Sequence, residues 1–478
     1  METLQELFKQ WSGSIPAHIE SLKAAGSDRK YIRLSSGGIS AIGVVGTSIE
    51  ENRAFVSICR HLHDKGLPVP ELYAVSDDCT HYLQEDLGDT QLYDFMADCR
   101  KENVYDDNTT ALLHSIVERL ADFQFRGADG MDFSACYPVE SFNRRSIFWD
   151  LNYFKYYCLK PSGLEFNEDR LENDFERMAD ILLADEPFDT FMYRDFQSRN
   201  IMVCGSEPRF IDFQGGRRGP VEYDLVSFLW QARAAYPEQL KDELTDVYIR
   251  SLSKYRKVDE TAFRTRLIHF VLFRTMQVLG AYGYRGNFER KQQFLDCMPA
   301  AMANLRGIAG QTIISDTYPY MADILCRLTE LARYKSPAHS ADDRLTVKIT
   351  SFSYRKGIPE DGSGNGGGFV FDCRSMHNPG LYDEYKALTG RDSEVIEFLD
   401  RQGEIQVYLQ NVYGLVDAAV NKYLSRGFTS LAVNFGCTGG QHRSVRCTEC
   451  LAAHLHETFG DRIRILVTHR ELNLYRKI

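Results

Sequence analysis

Two polar side chains near the middle of the chain have the types and spacing that phosphoryl transfer needs. In Tyr193–Asn200 (YRDFQSRN), Asp195 stands five positions before Asn200. A carboxylate can orient an acceptor hydroxyl and take its proton, and an amide oxygen can bind Mg²⁺ beside the phosphates. Asp195 is therefore the candidate catalytic base, and Asn200 is a candidate metal ligand.

A second carboxylate follows in a pattern that suits the same chemistry. Asp212 opens the triplet Asp212–Gln214 (DFQ), directly after the strand-like run Arg209–Ile211, where kinases place Asp-Phe-Gly. Mg²⁺ prefers hard oxygen ligands and keeps some of its waters, so one Asp and one Asn suffice beside a nucleotide. The two segments together predict an ATP- and Mg²⁺-dependent kinase. The alternative is that both aspartates are ordinary turn residues.

The surrounding pattern predicts the elements that must position these residues. Short strand-like runs and one helix come first, and long helical patterns follow from residue 89. We predict an α+β two-lobed kinase-like fold with an N-lobe over 1–88 and a C-lobe over 89–332. Residues 333–344 lose apolar periodicity and read as a linker. Residues 345–478 alternate strands and helices, which predicts a smaller α/β domain with a parallel sheet.

Composition excludes several other classes of protein. The formal net charge is -11, and the residues after Leu345 carry nearly balanced charge, so binding to RNA is not favoured. No apolar run reaches the length of a membrane span, and Met1–Gln10 lacks the pattern of a signal peptide. Twelve scattered cysteines indicate reduced thiols. We therefore expect a cytoplasmic protein without a membrane segment.

The segments Tyr193–Asn200, Ile211–Gly216 and Gly219–Leu229 resemble the aminoglycoside phosphotransferase family. The likeness covers roughly residues 10–300 and is greatest to the branch that phosphorylates N-acetylmuramate and N-acetylglucosamine. It implies the protein-kinase-like fold, ATP and Mg²⁺ as cofactors, and a sugar acceptor, in particular an amino sugar. It also implies nucleotide contacts through Ser27, Lys30, Arg33, Gln84, Glu85 and Leu87.

One feature departs from the protein-kinase pattern. Kinases hold the α- and β-phosphates with a strand lysine, and the matching strand Ala41–Gly46 has none. Lys30 or Arg33 is then the candidate cation, with Glu51 as its candidate ion-pair acid. Two alternatives remain: weak ATP binding, or a catalytically inactive regulatory protein.

A glycine-rich loop near the C-terminus forms a second candidate site. It follows the predicted strand Ser430–Phe435 and leads into a helix, an arrangement in which backbone N–H groups and the helix dipole favour an anion. We predict a phosphate or sugar-phosphate site at Cys437, Thr438, Gly439, Gly440, Gln441, His442, Arg443 and Ser444. Cys437 and Arg443 also fit a Cys-x5-Arg phosphatase loop, but the histidine that usually precedes the cysteine is replaced by Gly436.

The C-terminal residues resemble the C-terminal domain of the RNase adapter protein RapZ. The matching stretches are Ser351–Pro359, Phe371–Arg374, His377–Pro379, Leu388–Asp392, Gly436–Val445 and His469–Glu471. The resemblance implies binding of a phosphorylated amino sugar, with Arg374 in the pocket, and leaves an RNA-binding adapter as an alternative. Together the two resemblances predict a sugar kinase joined to a phosphosugar-binding domain.

Overall fold

The computed structural model describes residues 1–22, 29–289, 291–331, 344–359, 368–401, 403–426 and 428–478. The chain forms two compact units, Met1–Tyr334 and Lys335–Ile478. The predicted linker, 333–344, lies outside the described residues except for Arg344. The two units are described separately below.

The first unit begins with a five-stranded antiparallel sheet and two helices. These elements are α1 (Glu2–Ser12), β1 (His18–Leu22), β2 (Lys30–Ser36), β3 (Ile39–Val45), α2 (Ile49–Asp64), β4 (Leu72–Val75) and β5 (His81–Glu85). The strand order is β1-β2-β3-β5-β4. Gly37 and Gly38, both with positive φ, make the turn between β2 and β3.

Alternation along the strands buries the sheet on both faces. Leu34 of β2 packs with Leu4 and Phe8 of α1 on one face. Val44 of β3 packs with Phe55 of α2 on the other. Because successive strand residues point to opposite faces, each helix covers one of the two apolar rows. This sheet is the N-lobe of the predicted fold.

The remainder of the first unit is mainly helical. Its helices are α3 (Leu92–Phe95), α4 (Ala97–Glu102), α5 (Asp107–Phe125), α6 (Arg144–Phe154), α7 (Glu168–Leu182), α8 (Val221–Leu229), α9 (Glu238–Leu252), α10 (Glu260–Gly283), α11 (Gln292–Leu295), α12 (Met298–Ala309), α13 (Thr312–Thr317) and α14 (Pro319–Thr329). Two small antiparallel two-stranded sheets lie between α7 and α8: β6 (Phe191–Met192) pairs with β9 (Arg217–Arg218), and β7 (Ile201–Cys204) pairs with β8 (Glu207–Phe210). The predicted two-lobed α+β architecture is confirmed.

The second unit is an α/β domain around a five-stranded sheet. Its elements are β10 (Leu345–Ser353), β11 (Gly368–Asp372), α15 (Ser393–Arg401), α16 (Glu404–Ser425), β12 (Ser430–Cys437), α17 (Arg443–Phe459), β13 (Ile463–His469) and β14 (Leu474–Lys477). The order is β11-β12-β10-β13-β14. The first four strands are parallel and β14 is antiparallel, so the predicted parallel sheet is confirmed.

Within the described ranges, every helix is too short or too polar to cross a membrane.

Candidate functional site

One cleft of about 870 Å³ brings the predicted catalytic and metal-binding residues together. Asp195, Asn200 and Asp212 all line it. Three of the predicted nucleotide contacts line the same cleft, namely Gln84, Glu85 and Leu87. Side chains separated by more than 100 positions in sequence therefore share one cavity, because the end of β5 lies beside the β7–β8 hairpin, where Arg209 pairs with Glu85.

The catalytic loop is held by a buried carboxylate on α8. Asp224 accepts hydrogen bonds from the backbone N–H groups of Tyr193 at 2.7 Å and Arg194 at 2.8 Å. Arg194 has a φ of 82° and forms an ion pair with Asp150 at 2.8 Å. A positive φ is strained for a residue with a side chain, so the fixed backbone and the ion pair must stabilise it. These contacts leave the side chain of Asp195 half exposed in the cleft.

The buried position of Asp224 has an electrostatic cost. Burial raises the pKa of Asp224 to about 7, although the two N–H groups and Arg274 favour its charged form and oppose the rise. A carboxylate that accepts two backbone hydrogen bonds is strongly held even where solvation is lost. Asp224 therefore positions the loop and does not face the cleft.

Asp212 and Asn200 complete an oxygen-rich wall. The amide of Gln214 donates to Asp212 Oδ1 at 2.8 Å, and Asn200 Nδ2 donates to the backbone carbonyl of Asp195 at 2.8 Å. That second bond leaves the Asn200 Oδ1 atom able to act as a ligand. Burial raises the pKa of Asp212, the amide of Gln214 opposes the shift, and the charge of Asp195 adds to it. A divalent cation would offset this crowding of negative charge, so the donor set fits Mg²⁺.

Arg29 is a buried cation in the wall of the cleft, and it was not among the predicted nucleotide contacts. Arg29 lies just before β2, is 5% exposed, and pairs with Glu51 in the first turn of α2 at 3.2 Å; both side chains line the cleft. Lys30 and Arg33 do not line it. Because β2 and β3 are antiparallel, the start of β2 lies beside the end of β3 and the nearby start of α2. Arg33 lies four residues further on, about 13 Å along the strand.

Arg33 has a different role, beside the segment that follows β5. Its guanidinium pairs with Asp86 at 2.8 Å and Asp89 at 2.7 Å. Asp86 Oδ1 also accepts the N–H of Gly88 at 3.1 Å. Arg33 therefore shapes the segment that follows Glu85. Alternation along β2 could have set Lys30 apart, since residues 29, 31 and 33 share a face and Tyr31 lines the cleft, but it does not distinguish Arg29 from Arg33.

Some backbone groups of residues 84–88, at the end of β5 and just after it, already form hydrogen bonds within the protein. The N–H of Glu85 donates to Glu71 at 2.9 Å, and the carbonyl of Leu87 accepts the thiol of Cys204 at 3.3 Å. Gln84 and Leu87 remain in the lining of the cleft. Ser27, the remaining predicted nucleotide contact, lies outside the described residues.

The second predicted site is a loop at the carboxyl edge of the parallel sheet in the second unit. Cys437 ends β12 and Arg443 begins α17. The Cys437 sulfur accepts the N–H of Gly440 at 3.2 Å and lies 3.1 Å from Ser444 Oγ. The carbonyl of Thr438 accepts Ser353 Oγ at 2.7 Å. The loop is therefore closed on itself between strand and helix.

Three of the predicted phosphate-binding side chains hold neighbouring backbone carbonyls. Gln441 donates to Leu388 at 2.6 Å, His442 contacts Tyr385 at 2.9 Å, and Arg443 donates to Met376 at 2.7 Å. Arg374 pairs with Asp372 at 2.6 Å and lies over the ring of Tyr354. Gly439, in contrast, faces open space. The arrangement leaves the backbone of Thr438 and Gly439 as the open part of the loop.

The comparisons with known proteins identify both units. Residues 27–260 match the model of the phosphotransferase enzyme family, and residues 345–473 match that of the RapZ C-terminal domain. Each of the two models matches one of the two units. Both predicted resemblances are confirmed: the first unit contains a region similar to a phosphotransferase domain, and the second is similar to the RapZ C-terminal domain.

Individual relatives cover parts of the chain. A nucleotide-binding protein of Psychrobacter sp. (strain PRwf-1) is 34% identical over 131 residues, which cover 27% of this chain and 40% of that protein. A nucleotide-binding protein of Ruegeria pomeroyi is 35% identical over 143 residues, 30% of this chain and 47% of that one. The chain thus spans less than half the length of each of these relatives.

Solved structures of kinases are similar at low sequence identity. A choline kinase from Cryptosporidium parvum Iowa II is 11% identical with a TM-score of 0.48, covering 68% of this chain and 99% of that one. An ADP-bound aminoglycoside phosphotransferase is 12% identical with a TM-score of 0.43, covering 68% and 98%.

Proposed function

We propose that the first unit is an ATP- and Mg²⁺-dependent kinase that phosphorylates a hydroxyl group of an amino sugar. The observation that carries this proposal is the shared cleft, in which Asp195, Asn200 and Asp212 face the ion pair of Arg29 and Glu51. An inactive scaffold has no need to keep these charged groups together in a cavity, since burying them is unfavourable.

Each side chain has a role that its position supports. Asp195, half exposed, would orient the acceptor hydroxyl and take its proton. Asn200 and Asp212 would hold the metal, and Arg29 would contact the nucleotide phosphates in place of the strand lysine. When bound, the magnesium–ATP complex supplies the phosphoryl group that is transferred.

For the second unit we propose binding of a phosphorylated amino sugar at the loop 438–442. The support is the run of backbone N–H groups between a parallel strand and the start of α17. The guanidinium of Arg443 donates hydrogen bonds to the backbone carbonyls of Arg374 and Met376. This arrangement does not favour the Cys-x5-Arg phosphatase alternative. Nearly balanced charge gives the RNA-binding alternative no electrostatic support.

An ATP-consumption screen tests the kinase proposal. The full chain would be incubated with ATP, Mg²⁺ and a panel of neutral, acidic and amino sugars, with choline and an aminoglycoside included. We expect ADP release with an amino sugar, and none with Asp195→Asn. Absence of turnover with every acceptor, together with normal ATP binding, would favour the inactive regulatory alternative.

Thermal unfolding tests the proposal for the second unit. An amino-sugar 6-phosphate that binds the folded state should raise the melting temperature of the second transition, while the free sugar should not. A gel shift with hairpin RNA at low salt examines the RNA alternative. A gel shift with the RNA, together with no rise in melting temperature with the phosphosugar, would contradict the proposal.

A further inference from the structure

Gln214 adds a polar side chain to the metal-side wall of the cleft that the proposed function does not yet use. It stands where protein kinases have the glycine of Asp-Phe-Gly, and a glycine would contribute no side-chain polar group. Gln214 lies two residues after Asp212, and both side chains line the large cleft. The contacts of its amide group therefore indicate what the extra side chain does.

The backbone around Gln214 is held in place from both sides. The ring of Phe213 is fully buried and stacks on Phe55 of α2 with 5.2 Å between the ring centroids. The N–H of Gly216 donates to the carbonyl of Phe213 at 2.9 Å, which closes a four-residue turn with Gln214 inside it. These contacts fix the position from which the Gln214 side chain extends.

The two ends of the Gln214 amide have different surroundings. Nε2 donates to Asp212 Oδ1 at 2.8 Å. Oε1 is buried and has no hydrogen-bond partner among the described residues. Because an ionised carboxylate accepts hydrogen bonds and cannot donate them, the nitrogen must face Asp212. The amide oxygen is therefore an acceptor that is fixed in the wall of the cleft and lacks a donor.

A buried acceptor without a donor is unfavourable and calls for a partner. The loss of solvation is not repaid, and native proteins contain few such groups apart from those that meet an ion or a water. Asn200 has a related arrangement, since its Nδ2 atom donates to the carbonyl of Asp195 at 2.8 Å and its oxygen is the candidate metal ligand. Two amides of one cleft thus have their nitrogen atoms bound to the protein.

The donor that suits the Gln214 oxygen is a water molecule of the metal ion. Mg²⁺ keeps several of its waters when one or two carboxylates bind it, and each of these waters can donate hydrogen bonds. The nitrogen of Gln214 occupies the position next to Asp212 Oδ1, so the oxygen lies further from that carboxylate by the width of the amide group. A water can bridge this additional distance.

We propose that Gln214 accepts a hydrogen bond from a water of the magnesium ion through Oε1, while Nε2 holds Asp212 in position for the same ion. The inference rests on the kinase function proposed above and deepens its metal site. Contacts of this kind orient the direct ligands of a metal, and their loss lowers metal affinity or activity by about 10–100-fold. Gln214 is thus a positioning residue of the metal site.

Nucleotide affinity measured with and without the metal tests the inference. The full chain would be titrated in a calorimeter with β,γ-imido-ATP, an analogue that is not hydrolysed, once with Mg²⁺ and once with a chelator. Because metal and nucleotide binding are linked, the factor by which Mg²⁺ lowers the Kd reports on the metal site. We expect Gln214→Leu, which removes both polar ends, to lower this factor by about tenfold or more and to leave the metal-free Kd unchanged.

Two further variants locate the effect. Gln214→Glu keeps an acceptor oxygen on a side chain of the same length, so it should retain more of the Mg²⁺ effect than Gln214→Leu. Gln239→Leu changes an exposed glutamine of α9 and should alter neither Kd. Equal melting temperatures of the variants and the wild type would show that all of them fold.

The outcomes separate this inference from the kinase proposal. An undiminished Mg²⁺ effect in Gln214→Leu would overturn the inference and leave the kinase function standing. Equal losses in Gln214→Leu and Gln214→Glu would also overturn it, because the oxygen would then have no part. A change confined to the metal-free Kd would assign Gln214 to the nucleotide instead. If Mg²⁺ has no effect on the wild type, the metal-dependent kinase proposal fails together with the inference.

Discussion

The two candidate sites use their polar side chains in opposite ways. In the cleft of the first unit, Asp195, Asn200 and Asp212 present oxygen atoms to a cavity. In the loop of the second unit, the side chains of Gln441 and Arg443 donate hydrogen bonds to backbone carbonyl groups of the protein. A cleft built from side chains can lose its function with its fold intact, whereas a loop built from backbone should lose both together.

This contrast has a physical basis in stability. Charged groups that face a cavity cost desolvation free energy, so their removal often stabilises a protein while it removes activity. Side chains that satisfy buried carbonyls contribute to folding, and their removal leaves unpaired groups. The predictions that follow test this contrast, beginning with the largest expected effect.

Replacement of the buried metal-side carboxylate should separate activity from stability. Asp212→Asn removes the charge that Mg²⁺ needs, and we expect kcat/KM to fall by about 10²–10³-fold. The melting temperature should stay the same or rise, because burial already raises the pKa of Asp212 and opposes its charge. Steady-state kinetics and calorimetry measure the two effects. A matched change at the exposed Asp316, Asp316→Asn, should alter neither.

Loss of the phosphate-side cation should weaken nucleotide binding. Arg29→Gln leaves Glu51 without its ion-pair partner and removes a positive charge from the cleft. We expect kcat/KM for ATP to fall by about tenfold or more, and Arg29→Lys to recover part of the loss. Arg33→Gln serves as the comparison, since Arg33 pairs with Asp86 and Asp89 and does not itself line the cleft. If Arg33→Gln lost more ATP affinity than Arg29→Gln, Arg33 would be the phosphate-binding cation, as the sequence first suggested.

A pair of neighbouring glycines tests the backbone character of the loop. Gly440 has a φ of 71°, and a methyl group there would lie 2.8 Å from the backbone nitrogen of Ser353. Gly440→Ala should lower the free energy of unfolding of the second unit by about 1–3 kcal/mol and abolish phosphosugar binding.

The control is one residue away. Gly439 has open space where a methyl group would be added, so Gly439→Ala should leave stability nearly unchanged. Chemical denaturation followed by circular dichroism measures both variants. If Gly440→Ala were as stable as the wild type, the claim that backbone strain shapes this loop would be wrong.

The smallest expected effect is a pH dependence of the stability of the second unit, caused by the charged groups around Glu449. The hydrogen bond with His469 lowers the pKa of Glu449, and Arg476 and Arg391 add to the effect. The folded-state pKa is thus below the unfolded-state value. The stabilisation is complete above about pH 4.5 and disappears as the pH falls through the folded-state pKa.

Glu449→Gln should therefore lower the free energy of unfolding by about 1–2 kcal/mol at neutral pH. The difference from the wild type should close as the solution becomes acidic. Denaturation at a series of pH values measures it. A difference that stays constant from neutral to acidic pH would show that packing, and not charge, accounts for the loss.

The sequence alone predicted the elements and the chemistry of individual segments. Local periodicity and turn residues indicate the strands β10 to β13 of the second unit and the helix that follows Cys437, whereas β14 was not predicted. Asp195, Asn200 and Asp212 could be selected because they lie within 18 positions of one another, in a spacing that one chemistry requires. Short-range patterns of this kind can be recognised in the sequence without knowledge of the fold.

Tertiary structure decided which cation joins that chemistry and which side chains face each site. Arg29, Lys30 and Arg33 are equivalent cations in the sequence, and only the pairing of β2 with β3 brings Arg29 to Glu51. The hydrogen bonds of Gln441 and Arg443 depend on carbonyls more than 50 residues away. Contacts of this range depend on how strands pair and helices pack, whereas local spacing is set by the order of the residues themselves.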